Sequence, residues 1–397
     1  MNILVLNAGS SSLKYQVIQM PKQLVKCVGL VERIGMKNAI FNYEKKGEKF
    51  TETLPILNHE SGLQKIAQTL LDKDIGVLNT VDDIVAVGHR VVHGGSKFNK
   101  TTLITKEVKD NIRNLFDLAP LHNPANLTGI EIAETIFTNA KQIAIFDTAF
   151  HQTMPKEAYQ YAIPVKYLKD YKIRAYGFHG TSHKYVSEKA ISYLGEKSEN
   201  IIIIHLGNGC SMSAIKNGKS IENSLGFGPM NGLIMGTRSG DIDQSVVLFL
   251  MKKLHKTADE INNLLQKESG MLGLTGFSDL REISEQAANN NKDCQNGMEL
   301  AGYRIRKYIG SYTAILNGLN AIVFTAGIGE NSAEMRALAC KNLEYLGIEL
   351  DLEKNNIQSK EIREIQSKKA KVKVLVIPTN EEIEIAKQSY SLLNTSI

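Results

Sequence analysis

The stretches ILVLNAGSSSLKYQVI at residues 3–18 and IIIIHLGNGCSMSAI at residues 201–215 follow one pattern. Each is an apolar, β-branched run, then a small polar turn of Gly, Ser or Asn, then a second alternating run. Both therefore read as strand–turn–strand hairpins. The register matches Ile3 to Ile201, Gly9 to Gly207 and Ser10 to Asn208. Turns built from Gly and Ser let backbone N–H groups approach an anion closely, because no Cβ blocks the way. Two copies so far apart imply two similar half-molecules, each offering a loop to one nucleotide in a cleft between them. Two tight hairpins without a ligand are the plain alternative, and Lys14 beside the first turn favours phosphate.

Composition agrees with two domains. A chain of 397 residues is long for one core. With 43% hydrophobic and 22% charged residues it is ordinary globular material. The net charge of +5 comes without a Lys/Arg block or a basic–aromatic stripe, so no nucleic-acid partner is implied. Cys27, Cys210, Cys294 and Cys340 form no CxxC pair, which argues against a disulfide framework or a zinc site and fits a reducing cytosol. Met1-Asn2 leads straight into a strand, with no signal-peptide pattern. No apolar run approaches the ~18 residues of a membrane helix. The expectation is a cytoplasmic protein without a membrane partner.

Outward from the hairpins, strands and helices mix. Residues 24–57 read as further strands; Leu63, Ile66, Ala67, Leu70 and Leu71 follow a helical period, as do Leu127, Ile130, Ala133, Ile136 and Phe137. Ile84–Val87 and Ile143–Phe146 are buried-type strands. In the second half, Thr257-x-x-Glu260 is a capping box, a long helix is expected near 297–318, strands at Ala321–Thr325 and Val372–Ile377, and Asn380 as the N-cap of a final helix. The expected division is residues 1–148 plus a tail from about 384–397, against residues 149–383.

Several polar residues sit where chemistry would need them. Arg90, just past a strand in GHRVVHGG, and Arg238, in GTRSGDID, stand among glycines, suited to a two-pronged grip on carboxylate or phosphate. An ordinary surface salt bridge is the alternative for each. Asp147 ends a strand, where ligand sites of open α/β sheets gather, although a turn Asp is also routine there. His179 and His183, in YGFHGTSH, have helical metal spacing but lack HExxH, so hydrogen bonding to a developing phosphoryl charge is the better reading. The AGIGENS turn at 326–332 follows a strand and opens a helix, an arrangement that faces phosphates, yet it is neither GxGxxG nor a Walker A loop. Glu381, in the first turn of the last helix, either complements the helix dipole or holds Mg²⁺ through water.

In order along the chain, NAGSSSLKY (7–15), GHRVVHGG (88–95), PLHNPANLTGIE (120–131), FDTAFHQTMP (146–155), YGFHGTSHKYV (176–186), HLGNGCS (205–211), MGTRSGDID (235–243), AGIGENS (326–332) and IPTNEE (377–382) resemble the acetate kinase family. That family belongs to the superfamily of sugar kinases, heat-shock ATPases and actin. The resemblance implies an α/β fold of two duplicated ribonuclease H-like domains, each a mixed sheet flanked by helices, with an interdomain active-site cleft. It implies transfer between ATP and acetate with Mg²⁺, or Mn²⁺ in its place, and a homodimer. Asn7 and Glu381 match the metal positions, and Lys14 an ATP contact. Arg90 matches the substrate-carboxylate arginine, Arg238 and His179 the groups that stabilise the moving phosphoryl, and Asp147 an acid that orients or exchanges a proton. His205, Leu206, Gly207, Asn208 and Gly209, with Asp279, Leu280, Arg281, Gly327, Ile328, Gly329, Glu330 and Asn331, match nucleotide-binding stretches. Val92, Leu121, Phe178 and Pro229 match the pocket for the acetate methyl.

This chain departs from the family pattern at Glu222-Asn223-Ser224-Leu225-Gly226, at Gly228-Pro229-Met230, at Asn231 and Gln244, and in a shorter segment around Phe277–Arg281. The first departures flank Pro229 and bear on substrate size; the last bears on adenine contacts. A propionate or other short-chain acyl kinase is the near alternative. A sugar kinase suits paired arginines less well, and a non-catalytic nucleotide-gated module is the distant alternative.

Overall fold

A computed structural model of the chain describes residues 1–195 and 198–395, in two compact units. Unit 1 comprises Met1–Phe150 with the chain from Asn380 on; unit 2 is His151–Thr379. The return to unit 1 at Asn380 gives that unit the whole helix Glu381–Thr395, Glu381 included. Asn380 Oδ1 accepts from Ile383 N at 2.9 Å, the hydrogen bond of an N-cap.

The strands of unit 1 are β1 (Asn2–Ala8), β2 (Ser12–Gln19), β3 (Leu24–Glu32), β4 (Met36–Lys45), β5 (Glu48–Ile56), β6 (Ile84–Val91), β7 (Thr102–Leu103) and β8 (Lys141–Phe146). They lie in the order β5-β4-β3-β2-β1-β6-β8-β7. β1 pairs antiparallel with β2 and parallel with β6, which pairs parallel with β8. Unit 2 has β9 (Asn200–Leu206), β10 (Cys210–Lys216), β11 (Lys219–Asn223), β12 (Ala321–Thr325), β13 (Arg363–Glu364) and β14 (Lys373–Val376), in the order β11-β10-β9-β12-β14-β13. β9 pairs antiparallel with β10 and parallel with β12, which pairs parallel with β14. Six consecutive strands, β3-β2-β1-β6-β8-β7 in one sheet and β11-β10-β9-β12-β14-β13 in the other, therefore share one order and one set of directions, the ribonuclease H-like arrangement expected from the duplicated hairpin. The matched Ile3 and Ile201 occupy equivalent places, in register with Ala86 and Ala321 of the neighbouring parallel strands.

The β-branched runs set these strands because both faces of each sheet are covered. Ile201, Ile202, Ile203 and Ile204 are all fully buried, as is every residue of β12. Each such isoleucine contributes about 1.5–3 kcal/mol of burial. In unit 1 the helix His59–Leu70 buries Leu63, Ile66, Ala67 and Leu70 against the sheet, and helix Asn123–Ile136 packs beside it. The long helix of unit 2 begins earlier than expected and runs Lys292–Leu316, opened by the Asn291 N-cap. The Thr257–Glu260 capping box is present in full. Arg90 lies within the last turn of pairing of β6, not past it. All four cysteines are free and buried, and among the described residues no helix is long and apolar enough to cross a membrane.

Candidate active site

At the carboxyl ends of β6 and β8 in unit 1, Arg90 and Asp147 face each other. Arg90 donates from Nε (2.9 Å) and Nη2 (2.6 Å) to the same oxygen, Asp147 Oδ2. Among the described residues Arg90 Nη1 has no hydrogen-bond partner. The Asp147 side chain is 2% exposed and that of Arg90 19%, so the pair is shielded but reachable from one side. Burial alone would lower the Arg90 pKa; the carboxylates of Asp147, Glu381 and Glu382 outweigh it and raise it. Burial pushes the Glu381 carboxyl up; Arg90 and Lys14 oppose this, and Asp147 and Glu382 add to it. Lys14, the cross-strand partner of Asn7 in the β1–β2 hairpin, pairs with Glu382 at 2.5 Å. Arg90, Asp147, Glu381, Glu382 and Lys14 thus form one electrostatic group at the edge of the last helix.

Two asparagines that sequence reasoning left without a role hold this corner in shape. Asn126 donates to Ala8 O at the end of β1 and accepts from Val92 N just past β6, at 2.8 and 3.0 Å. Asn123 exchanges hydrogen bonds with the backbone of His93. Both are buried in the first turn of their helix, and the signal for them was the pair of Asn residues in PLHNPANLTGIE. Val92 is buried beside this network, whereas Leu121 is 43% exposed.

In unit 2, Gly207, Asn208, Asp279, Leu280, Arg281, Gly327, Ile328 and Asn331 line one open cleft of about 900 Å³. The structure brings together there all three stretches expected to bind nucleotide. His205, Leu206, Gly209, Gly329 and Glu330 are not among its lining residues; Leu206 and Ile328 face a smaller apolar recess beside it. Asp279 is the N-cap of helix Leu280–Ala288 and accepts from the Arg281 backbone and guanidinium, which hold its pKa down at about 2.

Within the AGIGENS turn expected to open a helix, AGIGEN is itself a short helix, Ala326–Asn331, entered through Ala326 at φ +64°. A left-handed alanine is a strained position that the surroundings must enforce. Arg336, fully buried and unremarked in the sequence, supplies part of that enforcement. It donates to Gly329 O, Glu330 O, Asn355 Oδ1 and Asn355 O. Burial, then the nearby Arg363, lowers its pKa to about 10.

Gly209 separates the two phosphoryl-directed candidates of unit 2. A Cβ there would lie 3.3 Å from His179 Nε2 and 3.9 Å from Arg238 Nη1. The missing side chain leaves both groups open to one small space. Arg238 Nη1 donates to Pro229 O at 2.9 Å, so Pro229 appears here as a backbone anchor. Burial lowers the Arg238 pKa, with Cys210 opposing. The Arg238 loop is strapped by backbone bonds from Ser269 N to Thr237 O, Met271 N to Met235 O and Leu272 N to Gly236 O.

His179, itself at φ +57°, caps the helix Gly180–Leu194, which contains His183 despite the opening glycine. Its ring stacks on His205 at 4.6 Å between centroids. His205 Nδ1 meets Ser182 Oγ, which also meets Thr379 Oγ1, both at 2.8 Å. Phe178 is 1% exposed, and its carbonyl oxygen accepts from His151 Nε2. Asn223, one of the departures from the family pattern, accepts from Leu225 N and donates to Ser213 Oγ, both at 2.8 Å, fixing the strand end beside Phe178.

A protein with two ribonuclease H-like units, an open cleft of about 900 Å³ in one, and an arginine–carboxylate pair at the strand ends of the other has the parts of a phosphotransferase. The family profile described as acetokinase matches residues 2–387, and this chain belongs to that family. An acetate kinase of Flavobacterium johnsoniae is 60% identical over 393 residues, covering 99% of this chain and 100% of that protein. The crystal structure of Porphyromonas gingivalis acetate kinase superimposes with a TM-score of 0.93 at 42% identity, covering 99% of each chain. A propionate kinase from Francisella tularensis gives 0.92 at 41%, covering 98% of each.

Proposed function

We propose that this protein is an acetate kinase, catalysing reversible phosphoryl transfer from ATP to acetate to give ADP and acetyl phosphate. The observation that carries the reading is the Arg90–Asp147 clamp. Asp147 takes two of the guanidinium's hydrogen bonds on one oxygen, which holds the plane and leaves Nη1 for a second carboxylate, that of the substrate. Acetate is already ionised at neutral pH, so no general base is needed. A carboxylate oxygen attacks the γ-phosphorus as the bond to the bridging oxygen of ADP breaks, and that electron pair leaves with ADP.

Positioning and electrostatic stabilisation dominate such a transfer. Arg238 and His179 supply donors to the equatorial oxygens of the moving group, and Arg90 aligns the acceptor. The stretches around Gly207, Asp279 and Gly327 hold the nucleotide, with Lys14 as a further phosphate contact. Asn7 and Glu381 would hold Mg²⁺. Their hard oxygen donors suit it, and a half-buried carboxyl crowded by Asp147 and Glu382 gains from a cation. The ion would neutralise phosphate charge.

The reading includes a homodimer in the cytoplasm. The helix Gln244–Leu254 of unit 2 supports the dimer, because it has no buried residue yet exposes Val246, Leu248, Phe249 and Leu254. Propionate preference is the second reading, favoured by the likeness to the Francisella propionate kinase. One methylene changes binding by only ~1–3 kcal/mol. ADP release from Mg-ATP with acetate, propionate, butyrate or glycerol supplied singly tests both. Higher kcat/KM with acetate is expected; higher kcat/KM with propionate selects the second reading, and no turnover with any acid rejects both.

A further inference from the structure

His183, Ser211 and His179 form a hydrogen-bonded row inside unit 2. The Ser211 hydroxyl lies 2.7 Å from His183 Nε2 and 2.9 Å from His179 Nδ1. A hydroxyl has one proton to give. It also has two lone pairs, but among the described residues no third acceptor faces Ser211 Oγ, so one imidazole takes its proton and the other donates to it, and the direction is set at the far end of the row.

That end is His183. It is fully buried, and among the described residues its Nδ1 has no hydrogen-bond partner. Burial, together with His151 and His205, pushes its pKa well below the usual value, so the ring is neutral and carries one proton. On Nδ1 that proton would be an orphaned buried donor; on Nε2 it is donated to Ser211. Buried N–H groups are left orphaned more rarely than acceptors. The proton belongs on Nε2, and Ser211 then gives its own proton to His179 Nδ1.

We infer that His183 and Ser211 are positioning residues that fix His179 as the tautomer protonated on Nε2. That nitrogen is the one 3.3 Å from the absent Gly209 Cβ, toward the space that Arg238 also faces. A neutral imidazole so held offers an N–H donor without first acquiring a charge. A histidine left to choose its tautomer would present a lone pair to the phosphoryl oxygens part of the time. The use of this donor rests on the phosphoryl-transfer reading; the tautomer itself does not.

Selective ¹⁵N-histidine labelling of the full chain reads the tautomer from the two ring-nitrogen shifts, with His179→Gln assigning the signals. The expected result is an Nε2–H His179 in the wild type. Ser211→Ala should lose that preference and lower kcat about tenfold at unchanged KM for ATP. His183→Gln, which keeps a donor facing Ser211, should retain the tautomer. An Nδ1–H His179 in the wild type overturns the inference without any variant. So does a Ser211→Ala protein whose His179 tautomer is unchanged, whatever happens to kcat. A wild type that transfers no phosphoryl group would sink the kinase reading and leave the tautomer result to be judged alone.

Discussion

Single side chains carry the account at Arg238 and Glu222. Arg238 faces the space beside Gly209 with His179, and its one strong protein contact is a backbone carbonyl rather than a carboxylate. Its charge is therefore available to the transferring group, and Arg238→Ala should lower kcat by about 10³-fold while KM for ATP changes little. Steady-state kinetics checks this, and a comparable kcat would remove Arg238 from the mechanism. Glu222 makes a pH prediction. Burial pushes its carboxyl from 4.5 up to about 7, with the Asn223 backbone N–H opposing. A carboxyl with a raised folded pKa favours folding while protonated, so its contribution is complete below pH 4.5 and is lost as pH rises through 7. Glu222→Gln stays neutral, so thermal melts should show it more stable than wild type at about pH 8, with the gap closing toward about pH 5. A gap independent of pH would contradict that assignment. The role of Arg238 was legible in GTRSGDID and in the family resemblance, whereas the Glu222 shift was not, because what buries that carboxyl comes from distant segments.

At the scale of elements, glycines and remote tethers shape the site. Gly270 sits at φ +63°, and a Cβ there would lie 2.2 Å from Met235 O and 2.6 Å from Arg238 O. Both contacts are backbone, so the Arg238 loop must move to admit a side chain. Gly270→Ala should lower kcat at least about tenfold and cost about 2 kcal/mol of stability. Kinetics and a denaturant titration measure the two, and a variant with wild-type kcat would show that the loop's placement is unimportant. The hairpins, the amphipathic helices and the Thr257 capping box were legible because local pattern and burial agree there. AGIGENS read as a turn that opens a helix, and the helix already begins at Ala326 because Arg336, beyond it in sequence, ties the carbonyls of Gly329 and Glu330. The same holds for Asn123 and Asn126, whose partners lie at the end of β1 and just past β6.

For the whole molecule, duplication was the most legible feature. One hairpin pattern occurring twice foretold two sheets with a common central order, since the same run of β-branched residues needs cover on both faces. The return of the last helix to unit 1 was visible only as a tail, because nothing in its local sequence says which sheet it covers. That helix brings Glu381 into the electrostatic group of Arg90 and Asp147, so domain order and site chemistry are linked. The exposed apolar helix Gln244–Leu254 sets an assembly prediction. The wild type should have twice the 44.0 kDa chain mass by light scattering, and Phe249→Glu should shift it toward the monomer. A wild-type monomer would exclude the dimer. The most direct test of the central claim is ³¹P NMR of the protein with Mg-ATP and acetate. The account predicts acetyl phosphate appearing in step with ADP, and none from Arg90→Ala at the same protein concentration. ADP accompanied only by inorganic phosphate would contradict it, because the γ-phosphoryl group would then be going to water and not to a carboxylate.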